Sequence, residues 1–162
     1  MPYTYAALLR HMLEEQAEEY PNLKYALIDI NGDGVEELLL QSEHSPLFPT
    51  YDENMFFAAI AIGDGELAYL LEGGCHYLCQ GNIIESLFPF PDAANWHNYH
   101  FYDAHFRDEP VEAICPEEGK LFHSVRGGAK VEITEEAARA IVAQYPRMEI
   151  DFKPANTFGE GT

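Results

Sequence analysis

Asp29, Asn31, Asp33 and Glu37 place side-chain oxygens at alternate positions of the run Asp29-Ile30-Asn31-Gly32-Asp33-Gly34-Val35-Glu36-Glu37. A tight, glycine-bearing loop of oxygen donors is what a hard cation such as Ca²⁺ requires. Counted from Asp29, donors fall at positions one, three and five, Gly34 stands at six where the chain must turn, and the Val35 carbonyl is available at seven. Position twelve is Leu40 and not a bidentate glutamate, which excludes a helix-loop-helix EF-hand. Glu37 at position nine supplies the closing carboxylate instead. Three carboxylates, one amide and one carbonyl make about five ligands where Ca²⁺ takes six to eight, so water or a second segment must complete the shell. The pair Asp52 and Glu53 is the candidate segment. Mg²⁺, which demands an octahedral shell and keeps its waters, suits the run less well. A plain turn at Asn31-Gly32 with solvated acidic neighbours accounts for the same residues without an ion.

Other chemistry-bearing residues point to less. Gly63-Asp64-Gly65-Glu66-Leu67-Ala68 fits a dinucleotide fingerprint, with Glu85 at a tolerable distance, but Asp64 and Glu66 would face a pyrophosphate. An Asp-Gly step between apolar runs reads better as a hairpin. On a strand His97 and His100 face opposite sides, and His97 and His105 stand about 27 Å apart, so these imidazoles cannot share an ion. They read as histidines of a half-buried aromatic strand. His123 and Ser124 are adjacent and diverge on a strand, so they form no catalytic dyad. Cys75 and Cys79 on one strand are about 13 Å apart, beyond disulfide reach. Buried thiols are expected for them and for Cys115. The aromatic segment from Phe88-Pro89-Phe90-Pro91 to Phe106 reads first as core and second as a ligand-contacting face.

The elements that must position these residues follow from periodicity. Tyr5, Leu8, Leu9, Met12, Leu13, Gln16 and Tyr20 make one helical face, with Thr4 as N-cap and Pro21 closing the run. Glu14, Glu15, Glu18 and Glu19 near its end oppose the helix dipole, so packing must hold that end. Lys24 to Ile28 and the apolar run to Leu40 read as strands on either side of the acidic loop, and 41–54 as a surface loop. Further strands are expected at Met55 to Ile62 and Glu66 to Leu71. Turns are expected at Gly73-Gly74, Gln80-Gly81-Asn82, Asp108-Glu109-Pro110, Glu117-Glu118-Gly119 and Arg126-Gly127-Gly128. Thr134-Glu135-Glu136 opens a second helix with Ile141, Val142 and Tyr145 inward and Pro146 after it, and Met148 to Phe152 reads as a last strand. The class expected is α+β: one domain spanning 1–162, an antiparallel meander with an N-terminal and a C-terminal helix.

With 162 residues, 47% hydrophobic, the chain can close a core without disulfides or metal. A formal charge of −19 disfavours nucleic acid and anionic lipid and favours cations or a basic protein as partners. No apolar stretch approaches the ~20 residues of a membrane span, and no membrane insertion is expected. The start lacks the pattern of a signal peptide, which implies a cytoplasmic location if the chain is complete and an extracellular or surface one if an export segment was removed.

The sequence Tyr25 to Leu38, set between an N-terminal helix and a meander and followed by a late helix opening at Ile133-Thr134-Glu135-Glu136 and ending at Tyr145-Pro146, resembles uncharacterised α+β domains of gut Gram-positive bacteria, often exported or lipid-anchored. Its loop is similar to the strand-loop-strand calcium loops of integrin-like FG-GAP repeats. The resemblance implies an α+β fold and a cation loop, and carries no activity. Three functions follow in order: a non-enzymatic domain with structural Ca²⁺, an acidic inhibitor- or immunity-type module that captures a basic protein, and an enzyme.

Overall fold

The α+β class is seen in the computed structural model, which describes residues 4–43, 52–63, 65–87 and 96–159. Among these residues ten strands form an open antiparallel sheet, accompanied by one helix near the start of the chain and one near its end. The chain divides into two compact units, Met1–Ile30 with Gly34–Gly73 and Glu149–Thr162, and Asn31–Asp33 with Gly74–Met148.

In the first unit, helix α1 (Tyr5–Glu15) starts where the Thr4 hydroxyl accepts the Ala7 amide at 3.0 Å. Its end comes earlier than the Tyr20-Pro21 boundary expected from periodicity: the acidic residues there oppose the dipole and no basic residue sits in the last turn. Tyr20 lies beyond the helix and stacks on Phe57 at 5.0 Å. Leu8, Leu9 and Met12 bury against Leu23, Leu38, Leu40, Ala58 and Ile60 to make the core. The strands are β1 (Lys24–Ile28), β2 (Glu37–Gln41), β3 (Phe56–Gly63) and the first part of β4 (Glu66–Cys79). All five residues of β2 are buried, Glu37 and Gln41 included. The strand expected at Met148 to Phe152 is not formed. The Ile150 amide is taken by Asn54 Oδ1 at 3.0 Å and the Phe152 amide by the Ile150 carbonyl, so these amides serve no partner strand. At the start of the expected strand the Met148 amide meets the Leu78 carbonyl of β4 at 2.8 Å, beside an isolated bridge between Arg147 and Cys79, and after it β10 (Lys153–Pro154) pairs with Tyr25 and Lys24 of β1.

The second unit continues β4 and adds β5 (Ile83–Leu87), β6 (His97–Tyr102), β7 (Asp108–Glu117), β8 (Lys120–Val125) and β9 (Val131–Ile133), paired in that order, with helix α2 (Glu135–Val142) following. Thr134 caps α2 by accepting the Ala137 amide at 3.1 Å. Tyr145, expected on the buried side of this helix, lies beyond its last residue and stacks on Tyr99 with ring centroids 3.9 Å apart. The turns at Gln80–Asn82, Glu118-Gly119 and Arg126-Gly127 form as expected. Two others do not. Gly73 and Gly74 both have positive φ, +76° and +92°, yet stay within β4, as glycine permits at a bulge or kink. Asp108-Glu109-Pro110 is strand. The turn sits at Asp103–Arg107, where Asp103 Oδ1 accepts the amides of His105 (2.8 Å) and Arg107 (3.0 Å) and so out-competes the proline signal. Pro110 is tolerated because a bulge lies beside it: Tyr99 pairs Glu112 but His100 pairs Pro110, leaving Val111 unpaired on that side.

Asp64 of the expected Gly63-Asp64-Gly65 turn, 44–51 of the expected surface loop and 88–95 of the aromatic segment lie outside the described residues.

Candidate metal centre

The acidic loop joins β1 to β2 directly above the closing pair Ile28↔Glu37. It is one continuous stretch of backbone, so its geometry is local. Asp29, Asp33 and Glu37 each offer a carboxylate oxygen, and these oxygens all lie within 4.8 Å of one another. Calcium-oxygen bonds run 2.3–2.6 Å, so oxygens on opposite sides of one ion stand about 4.6–5.2 Å apart and the trio fits a shared Ca²⁺ shell.

Local hydrogen bonds hold the bend. Gly34 donates its amide to Asp29 Oδ2 at 2.8 Å, and the Asp33 amide reaches Asn31 Oδ1 at 3.3 Å. Asn31 Nδ2 donates to the Asp103 carbonyl at 3.1 Å. Ile30 donates its amide to Glu37 Oε2 at 2.8 Å. Gly32 and Gly34 have φ of +75° and +89°, the left-handed conformations that glycine adopts without steric cost. Asp33 is exposed, Asp29 and Asn31 are half-buried, and Glu37 is only 1% exposed. Val35, named for its carbonyl, is 60% exposed. The Tyr5 phenol lies near the centre. Burial first, then the charge of Glu37, pushes it up to about 12.

Asp52 and Glu53 do not complete the shell. Gln41 Nε2 donates to the Glu53 carbonyl at 2.8 Å, which places that pair at the far end of β2 from Glu37, about 13 Å of strand away.

The other expected candidates fall out as follows. His97 and His100 do face opposite sides of β6, and His105 is exposed in the turn after it. Cys75, Cys79 and Cys115 are buried free thiols. His123 is turned to Glu112, which its Nε2 meets at 2.8 Å. Glu85, weighed in sequence only as part of a dinucleotide fingerprint, is instead a buried anchor. His97 Nδ1 and the Tyr99 hydroxyl donate to its Oε2, and Arg147 Nε donates to its Oε1, each at 2.7 Å. Burial alone would raise this carboxyl, but the donors and the Arg147 charge outweigh it and hold Glu85 below its ordinary value. The same contacts push the Tyr99 phenol upward, burial first and Glu85 second. Arg147 also lies over the Tyr77 ring at 3.6 Å. No spacing in the sequence announces this cluster, because residues 85, 97, 99 and 147 meet only through strand register and the segment after α2.

Comparison with known proteins finds no matching family, no matching curated protein and no matching solved structure.

Proposed function

We propose that this chain is a domain stabilised by calcium bound at its β1–β2 loop, with Asp29, Asn31, Asp33 and Glu37 as side-chain ligands and Val35 contributing its carbonyl. The observation that carries this reading is the convergence of three carboxylate oxygens within 4.8 Å on a glycine-shaped bend. The ion would replace mutual repulsion with coordination and fix the register of β1 against β2. Its role is structural, since the loop spends its ligands on closure and presents no nucleophile or acid-base pair around an open position.

The test is a melting curve with Ca²⁺, with Mg²⁺ and with chelator. Calcium at a hundredfold excess over its dissociation constant adds about 2.7 kcal/mol, which raises the melting temperature of a chain this size by several degrees, and chelator reverses the shift. An unchanged melting temperature, with no heat in a calcium titration, overturns the reading.

A second reading draws on Glu14, Glu15, Glu18 and Glu19, all exposed at the end of α1 and beyond it. With a net charge of −19, this patch suits an interaction module that captures a basic protein. Binding that weakens with salt, ignores chelator and falls on Glu→Gln substitution of these four residues is the expected signature.

A further inference from the structure

Ser86, His100 and Asp108 are distant in sequence and meet on one face of the second unit through strand register. Ser86 pairs His76 of β4 directly and lies one diagonal step from His100, which pairs Ile84. Asp108 pairs Tyr102 and so lies diagonal to His100 on the other side. Ser86 Oγ stands 2.8 Å from His100 Nε2, and His100 Nδ1 stands 2.7 Å from Asp108 Oδ1. His76 Nδ1 meets the same Ser86 Oγ at 2.7 Å.

With His100 neutral, one proton arrangement satisfies these three contacts. A carboxylate only accepts, so His100 carries its proton on Nδ1 and presents Nε2 as an acceptor. Ser86 must then donate to His100, and its oxygen accepts from the Nδ1–H of His76. Gly74 leaves room for that second ring, since a Cβ at this position would stand 3.2 Å from His76 Nε2. Hydroxyl, imidazole Nε2, imidazole Nδ1–H and carboxylate follow in the order used by hydroxyl nucleophiles in acyl transfer. Apolar side chains at 76, 86 and 100, all nine-tenths buried, would fill this face without desolvating polar groups.

We propose that Ser86 is the nucleophile of an acyl-transfer centre acting on small activated acyl esters, with His100 as its base and Asp108 as the positioning residue that fixes the tautomer of His100. Ser86 Oγ forms a bond to the acyl carbon while its proton passes to His100 Nε2. That proton then goes to the leaving alkoxide oxygen as the ester C–O bond breaks. Water, deprotonated by the same nitrogen, bonds to the acyl carbon; the acyl–Oγ bond breaks, the proton passes from His100 Nε2 to Ser86 Oγ, and the acid is released. Ser86 is only 7% exposed, so the substrate class proposed is confined to short acyl groups. The centre does not rest on the calcium reading, and its activity is expected with and without chelator.

The test is labelling of the full chain by a small alkyl fluorophosphonate, mapped by peptide mass spectrometry and repeated with Ca²⁺ and with chelator. The label is expected on Ser86 and absent from Ser86→Ala. Asp108 has a half-exposed side chain, so Asp108→Asn keeps the fold and its melting temperature, while labelling slows by at least about tenfold because the tautomer is no longer fixed. Should Ser86→Ala fail to fold, the mapped site in the unsubstituted chain and the Asp108→Asn rate still decide. Folded protein that takes no label at Ser86, or Asp108→Asn labelled at an unchanged rate, overturns the proposal.

Discussion

Ile30 donates its backbone amide to Glu37 Oε2 across 2.8 Å, so the carboxylate that closes the acidic loop is also a structural acceptor for a fully buried residue. Glu37 and Asp33 therefore respond differently to substitution. Without calcium, Glu37→Ala leaves the Ile30 amide unsatisfied and costs about 2 kcal/mol, while Glu37→Gln keeps an acceptor and most of the stability. Asp33→Ala without calcium leaves stability unchanged or raises it by up to about 1 kcal/mol, because an exposed member of a repelling trio is gone. In excess calcium the sign for Asp33→Ala reverses. Denaturant melts of the three variants, each with chelator and with Ca²⁺, give the six numbers needed.

Gly34→Ala isolates backbone strain from crowding. A Cβ at Gly34 meets nothing within 4 Å, yet the residue holds φ at +89°. The penalty is conformational and amounts to about 1–2 kcal/mol. The Gly34 amide also braces Asp29, so calcium affinity falls together with stability. A titration and a thermal melt on this variant measure both losses.

Glu85 gives the second unit an acid-sensitive anchor. Its carboxyl is held below the ordinary value of 4.5 in the folded chain, so folding favours the ionised form. The resulting stabilisation is complete above the ordinary value and is lost as pH falls through the lower folded value. Glu85→Gln removes it at every pH. The unsubstituted chain should lose stability more steeply than Glu85→Gln as pH falls below the ordinary carboxylate value, so their melting temperatures converge on acidification.

The three thiols are expected to stay silent until the chain unfolds. Burial first, and the charge of Glu85 second, pushes Cys79 up to about 12, and burial raises Cys115 as well. A thiol must ionise to react. A disulfide exchange reagent at mildly alkaline pH should find no fast-reacting group in the native protein and three after denaturation.

What could be read from the chain without coordinates was what depends on near neighbours. The β1–loop–β2 unit was legible because Leu27 and Leu38 flank a nine-residue acidic run, and the caps at Thr4 and Thr134 because a cap and its amide lie three residues apart. Local signals also misled where another local contact was stronger, as when the Asp103 side chain took the turn from Glu109-Pro110. Gly73-Gly74 reads equally as a turn or as a kinked strand, since both use positive φ. The Glu85 anchor and the Ser86-His100-Asp108 line were invisible for a different reason. They depend on which residue of one strand stands opposite which residue of the next, and that register follows from the whole sheet.

Val111 accepts the Arg126 amide at 2.9 Å but has no partner on β6. Were β7 regular through Val111, Asp108 and Glu112, four residues apart, would share a side. Instead, Asp108 meets His100 while Glu112 turns to His123 and Tyr145. The irregularity at Val111 thus sorts two like charges into two separate neighbourhoods, and the same residues run as a regular strand would carry both acids on one side.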